Sequence, residues 1–218
     1  MAPKRRQPRA MSKRLRRLLS GLSLLVLAVL VWLDHNVVTP TRTESLPLQQ
    51  QGSDQDFARY DGKTFTVVRI VDGDTLHLNV PDANRPTTTV RLLGIDAPEM
   101  HDNQRGQMFY AREATEFVPQ FTYDRAVTVY LDRTTARTRG TYGRLLAYLV
   151  LPDGQVLNEA LLLEGCAYAD LRFRHGSFQR YQQLEATARS LQKGMWSDVT
   201  REQLPDWLQR MQPSLLAR

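Results

Sequence analysis

One cysteine, Cys166, occurs in 218 residues, so no disulfide can form within the chain and the fold must rest on a packed core. The four histidines, His35, His77, His101 and His175, lie far apart with no zinc-ligand spacing, which speaks against a zinc site. No segment repeats another. Acidic residues are missing from positions 1–17, which hold Lys4, Arg5, Arg6, Arg9, Lys13, Arg14, Arg16 and Arg17. Without those eight, 21 basic residues face 23 acidic ones, so the formal charge of +6 becomes about −2 for the remainder. The overall basicity therefore says nothing about polyanion binding by the globular part. Affinity for nucleic acid would have to come from a local basic site.

Leu18 to Leu33 carries no charge and is rich in leucine and valine. As a helix it is roughly 24 Å long, short of a hydrocarbon core of about 30 Å. Snorkelling by Arg16 and Arg17 with local thinning makes up the difference, so residues 18–33 read as a single transmembrane anchor. A cleaved secretory signal is the alternative, but Trp32, Leu33 and Asp34 supply no small residue for cleavage, and Val37 to Thr39 are a weak site. The positive-inside rule keeps the basic segment 1–17 in the cytoplasm and places everything after Leu33 on the outer, periplasmic or extracellular, side.

Residues 34–60 shift to Thr, Pro, Gln, Ser and Asp and read as a flexible linker too polar to build a core. Strand patterns follow at Phe65–Val71, Thr75–Val80, Thr88–Ile95, Ala126–Leu131 and Leu145–Leu151, with Asp72-Gly73 turning the first hairpin. Helical spacing covers Gln107–Phe121, where Pro119 is an awkward guest, and Ser177–Lys193. A short helix through Glu164 is expected to be capped by Asn158 and closed by Gly165. Cys166, after an apolar run, reads as a small core hydrophobe. Five short strands with a helix between the third and fourth predict an α+β fold built on a small Greek-key barrel of the oligonucleotide-binding (OB) type, spanning residues 61–197. The tail 198–218, with Leu204, Trp207, Leu208 and Met211, reads as an amphipathic helix that packs on the barrel or holds a partner.

Chemistry concentrates in Val90-Arg-Leu-Leu-Gly-Ile-Asp-Ala-Pro-Glu99. Alternation puts Arg91, Leu93 and Ile95 on one face, so a guanidinium stands inside an apolar pattern. Pro98 ends the ladder and directs Asp96 and Glu99 away from the strand end. Two carboxylates and a guanidinium at a rigid corner suit a metal ion and a phosphate. Alone, Asp72-Gly-Asp74-Thr75 is a hairpin turn; beside Asp96 it offers a second carboxylate, and oxygen-only ligands suit a hard cation such as calcium. Thr141-Tyr-Gly-Arg144 adds a second guanidinium at a strand mouth, able to grip phosphate oxygens in a bidentate fork.

Val71-Asp-Gly-Asp-Thr-Leu76, Arg91-Leu-Leu-Gly-Ile-Asp-Ala-Pro-Glu99, Tyr142-Gly-Arg-Leu-Leu-Ala-Tyr148, Asn158-Glu-Ala-Leu161 and Gly194-Met-Trp196 together resemble the staphylococcal nuclease-like, or thermonuclease, family, in family order, over about residues 63 to 197. The resemblance implies an OB-fold barrel of five strands with three helices, and calcium-dependent hydrolysis of phosphodiester bonds in DNA and RNA. It further implies that Asp74, Asp96 and the main-chain carbonyl of Ala97 bind calcium. Arg91 and Arg144 would bind phosphate, Glu99 would serve as general base, and Tyr142 would contact a substrate phosphate. The chain departs from the family in having Ala97 for a threonine and Thr141 for a lysine. Its loop from Asp132 to Tyr142 is slightly longer, and Arg133, Arg137 or Arg139 there could replace the lysine's charge. Leu171 and Phe173 stand where aromatic residues line the nucleotide pocket. The rival reading is a membrane-anchored nucleic-acid-binding module that keeps the barrel without cutting. No feature calls for an obligate protein partner.

Overall fold

The computed structural model describes residues 48–102, 106–122 and 125–216. The chain divides into Met1–Ser45 and a compact unit, Leu46–Arg218. Segment 1–17, the anchor expected at Leu18–Leu33 and the first part of the linker expected over 34–60 lie outside the described residues. Among those that are described, no helix is long and apolar enough to cross a membrane.

Five strands close into a barrel: β1 (Lys63–Ile70), β2 (Thr75–Leu78), β3 (Thr88–Leu92), β5 (Ala126–Tyr130) and β6 (Leu145–Val150), in the order β1-β2-β3-β6-β5. All neighbours are antiparallel except β3 and β6. The two-residue period decides what fills the interior. Thr88, Val90 and Leu92 of β3 and Leu145, Ala147 and Leu149 of β6 point inward and are buried, while Leu146, Tyr148 and Val150 face outward. Burying each such Leu or Val contributes roughly 1.5–3 kcal/mol.

The predicted third strand, Thr88–Ile95, ends at Leu92. Gly94 then takes φ +78°, and Ile95–Asp96 forms a separate short strand, β4, paired with β7 (Tyr168–Ala169). The alternation expected through Ile95 is thereby broken: Leu92, Leu93 and Ile95 are all buried, and Arg91 stands apart from them on the outer face of β3. Gly94 is required twice over, by its positive φ and because a Cβ there would lie 2.3 Å from the His175 ring. His175 is held in turn by Tyr148, whose hydroxyl lies 3.1 Å from its Nδ1 and donates to Asp132 at 2.6 Å.

Three further expectations are corrected. The linker predicted up to residue 60 ends in a helix, α1 (Leu48–Tyr60), in which Asp56 and Tyr60 are buried. Tyr60 packs into the barrel core, and Asp56 accepts bonds from Thr138 Oγ1 and the Arg139 guanidinium. A polar stretch is thus clasped by an ion pair and a hydrogen bond that composition does not reveal. Second, the helix expected over Gln107–Phe121 divides into α2 (Ala111–Phe117) and α3 (Pro119–Thr122), because Pro119 has no N–H to continue the ladder and instead opens the second piece. Third, Asn158 does not cap α4 (Leu157–Leu163). The cap position is Val156, and the fully buried Asn158 amide donates to Leu93 O (3.0 Å) and Ala147 O (3.3 Å) while accepting from Leu149 N (3.1 Å). It therefore pins the turn after β3 to β6. Among the described residues α1 is thus the helix that was not expected, while the one expected over Gln107–Phe121 is present in two pieces.

α5 (Phe178–Ser190) turns Tyr181, Glu185 and Ala188 inward at helical spacing. Beyond it, 3₁₀ turns at Gly194–Ser197 and Arg201–Gln203 lead to α6 (Asp206–Met211). Of the two roles open to the tail, packing is the one seen: Leu204, Trp207 and Leu208 join Tyr168, Met195 and Trp196 in a second core. Cys166 is buried, as expected, and burial pushes its thiol up to about 12.

Candidate active site

The β1–β2 turn brings Asp74 to the mouth of the barrel. Asp72 Oδ1 accepts the Asp74 N–H (3.0 Å), an Asx turn that tightens the loop. Gly73 admits the close approach of the next layer, since a Cβ there would fall 2.7 Å from Ala97 Cβ. Asp74 is 2% exposed. Its carboxylate accepts the Ala97 N–H (2.7 Å) and the Thr75 hydroxyl (3.0 Å), and it pairs with Arg91. Burial raises the Asp74 pKa well above its ordinary value; Arg91 opposes this, and Asp72 and Asp96 add to it.

Arg91 sits opposite Thr75 in the β2–β3 ladder and reaches over the strand end. Its guanidinium donates to Ile95 O (2.9 Å) and Asp96 Oδ1 (2.6 Å), and contacts Asp74 as well. Burial works against the Arg91 charge, but Asp74 and Asp96 outweigh it and raise its pKa. Asp96 is shared further: Arg172 lies 3.0 Å from Oδ1, and Trp207 Nε1 donates to Oδ2 at 2.8 Å.

Arg144 enters from the turn just before β6. Its Nη1 lies 3.4 Å from Thr75 Oγ1, so a chain of contacts runs from Arg144 through Thr75, Asp74 and Arg91 to Asp96. Among the described residues Arg144 has no carboxylate in ion-pair range, and its buried Nε has no hydrogen-bond partner. Tyr142 is 77% exposed, with the Arg144 guanidinium 5.6 Å from its ring centre. Glu99 is half-buried. Burial raises its pKa, Asp72 and Asp96 raise it further, and Arg91 and Arg144 pull the other way, so Glu99 shares the electrostatic field of both arginines.

The predicted residues Asp74, Arg91, Asp96, Ala97, Glu99, Tyr142 and Arg144 are thus brought to one end of the barrel. Of the three arginines that could replace the charge missing at Thr141, none lines the cleft beside these groups, and Arg137 lines the separate one around Asp56. Arg139 is spent on Asp56 (2.6 Å), Asp82 and Gly143 O (3.0 Å), where it braces the Tyr142–Arg144 turn, and Arg133 pairs with Asp61 (3.0 Å). Three contributors were missed. Thr75 could have been found from its place beside Asp74. Arg172 lies between the noted Leu171 and Phe173. Trp207, 111 residues from Asp96, carries no local signal.

Beside these groups lies a cleft of about 410 Å³, lined by Asp96, Glu99, Met108, Arg172, Trp207 and Arg210. A larger one of about 840 Å³ surrounds the Asp56–Arg139 clasp and includes none of the predicted site residues. No three His, Cys, Asp or Glu side chains converge as a metal cage among the described residues. The all-oxygen set of Asp74, Asp96 and a main-chain carbonyl nevertheless fits a hard cation that keeps some of its waters. The buried, charge-crowded Asp74 carboxylate is a group that a cation would stabilise.

A family profile described as "Staphylococcal nuclease homologue" matches residues 89–198. Over 185 residues the chain is 28% identical to a Thermonuclease of Staphylococcus hyicus, covering 84% of this chain and 100% of that protein. It is 34% identical over 145 residues to a Micrococcal nuclease of Shigella flexneri, covering 65% of this chain and 78% of the relative. An Uncharacterized endonuclease of Escherichia coli O157:H7 is 32% identical over 144 residues, with 66% and 82% covered. With half its length matched by the profile and its paired carboxylates and arginines gathered at one end of a closed five-stranded barrel, the chain belongs to the staphylococcal nuclease family.

Proposed function

We propose that the chain is a calcium-dependent nuclease that hydrolyses phosphodiester bonds of DNA, RNA or both with little sequence specificity. The observation that carries this reading is Arg144, a guanidinium with an unpartnered buried Nε and no carboxylate in range among the described residues, set beside a cluster of acids. A buried donor without an acceptor is costly, and a phosphate oxygen would satisfy it. These groups address phosphate rather than base edges, hence the low specificity.

Asp74, Asp96 and the Ala97 carbonyl would hold calcium, which when bound supplies Lewis-acid polarisation of a phosphate oxygen. The remaining work falls to the chain itself. Glu99 accepts the proton of the attacking water. Arg144 donates to the equatorial oxygens as charge develops and to the leaving oxygen. Arg91 keeps Asp74 and Asp96 together and offers a second guanidinium to phosphate. Tyr142, exposed at the rim, meets a neighbouring substrate phosphate. The full-length chain is expected to fragment single-stranded DNA with calcium and not with chelator. Binding without cleavage at every calcium concentration would instead support the rival binding module.

The basic segment 1–17 and the apolar run Leu18–Leu33 support a membrane-anchored placement with the barrel on the outer side. Such a placement keeps an unspecific nuclease away from the genome and in contact with free calcium. A periplasmic or extracellular reporter fused after Arg218 should be active and remain with the membrane. A cytoplasmic reporter would contradict the topology, and release of the fusion would show the segment to be cleaved.

A further inference from the structure

α6 lies beyond residue 198, where the family match ends, yet it reaches the centre of the site. Trp207 is anchored by fully buried neighbours, Leu204 and Leu208. An indole N–H can only donate, and Trp207 spends it on Asp96 Oδ2 (2.8 Å). The other oxygen, Oδ1, receives Arg91 (2.6 Å) and Arg172 (3.0 Å). Arg172 also lies 4.6 Å from the Trp207 ring centre and is held by both oxygens of Asp170 (2.8 and 2.9 Å). Both oxygens of Asp96 are therefore fixed by donors that are themselves immobilised, and the plane of the carboxylate is set. Because each carboxylate oxygen has two acceptor positions, the indole bond orients Asp96 without using up its capacity for a cation.

We propose that Trp207 is a positioning residue for the cation site: its N–H holds Asp96 in the orientation that binds calcium, so the C-terminal helix is a working part of the active centre rather than a packing appendage. The inference rests on the reading of Asp96 as a calcium ligand. Loss of a hydrogen-bonded outer partner weakens a metal site by about 10- to 100-fold.

Trp207→Phe keeps the buried ring and removes only the donor. Calcium titrated calorimetrically into the full-length chain is expected to bind Trp207→Phe about 10-fold more weakly than wild type, with the thermal transition little changed. A role in packing alone would leave calcium affinity where it was. Indole NMR gives a second measurement that survives failure of the variant to fold. Of the three tryptophan N–H resonances, the one displaced by Asp96→Asn is that of Trp207, and it should also move when calcium is added to wild type. Equal affinity in the two chains, tighter binding by Trp207→Phe, or an indole resonance indifferent to bound calcium would each overturn the proposal while leaving the calcium reading intact. A wild-type chain that binds no calcium overturns both.

Discussion

Arg144→Ala is expected to lower the rate of phosphodiester cleavage by about 10²- to 10³-fold, the usual loss when one preorganised donor to a developing oxyanion is removed. The fold should hardly respond. In the protein alone the guanidinium makes one long hydrogen bond, 3.4 Å to Thr75, lies over the exposed Tyr142 ring, and has no carboxylate partner in ion-pair range among the described residues. Removing it also removes an unpartnered buried Nε. Little stabilisation is therefore lost, while the phosphate loses the one guanidinium of the pair that is not already held by acids. Rates under substrate saturation, compared with thermal unfolding of the same preparation, check this. A variant that cuts at the wild-type rate removes Arg144 from the site, and one that unfolds early gives it a structural role instead. Arg91 allows no such clean test, because its loss would strand the buried Asp74 carboxylate without its counter-charge.

This contrast between the two arginines was not legible in the sequence. Both stand at strand ends, and residue type alone made them equivalent. The difference arises from β4, a two-residue strand held by β7, which swings Asp96 back toward Arg91. Pairings so short leave no periodic trace. The five barrel strands were legible because alternation over four to eight residues records which face is buried. Asn158 illustrates the opposite case: its place before an apolar run imitates a helix cap, and only the approach of β6 and of the turn after β3 reveals it as a buried staple. Likewise α1 hides in a polar composition because Asp56 secures it through an arginine more than eighty residues away. Local pattern therefore located the acids and arginines of the site, while the contacts that tension them came from distant segments.

Glu99→Gln is the second large effect, and it bears most directly on whether this end of the barrel is a hydrolytic centre or only a binding one. Glutamine keeps the shape of the side chain and loses the capacity to accept a proton. General-base contributions run to about 10²–10⁴ in rate. Removing one negative charge from a site that already holds Asp72, Asp74 and Asp96 should not weaken the hold on a polyanion. Cleavage and binding should therefore part company in this variant. The deciding measurement is single-turnover cleavage of an end-labelled single-stranded oligonucleotide at saturating calcium, with oligonucleotide affinity measured in parallel, for wild type and Glu99→Gln. Affinity equal to or tighter than wild type, with cleavage slowed at least about 10²-fold, is the expected result. Undiminished cleavage by Glu99→Gln would contradict the assignment of Glu99 as the general base and, with it, the account of how this site hydrolyses its substrate.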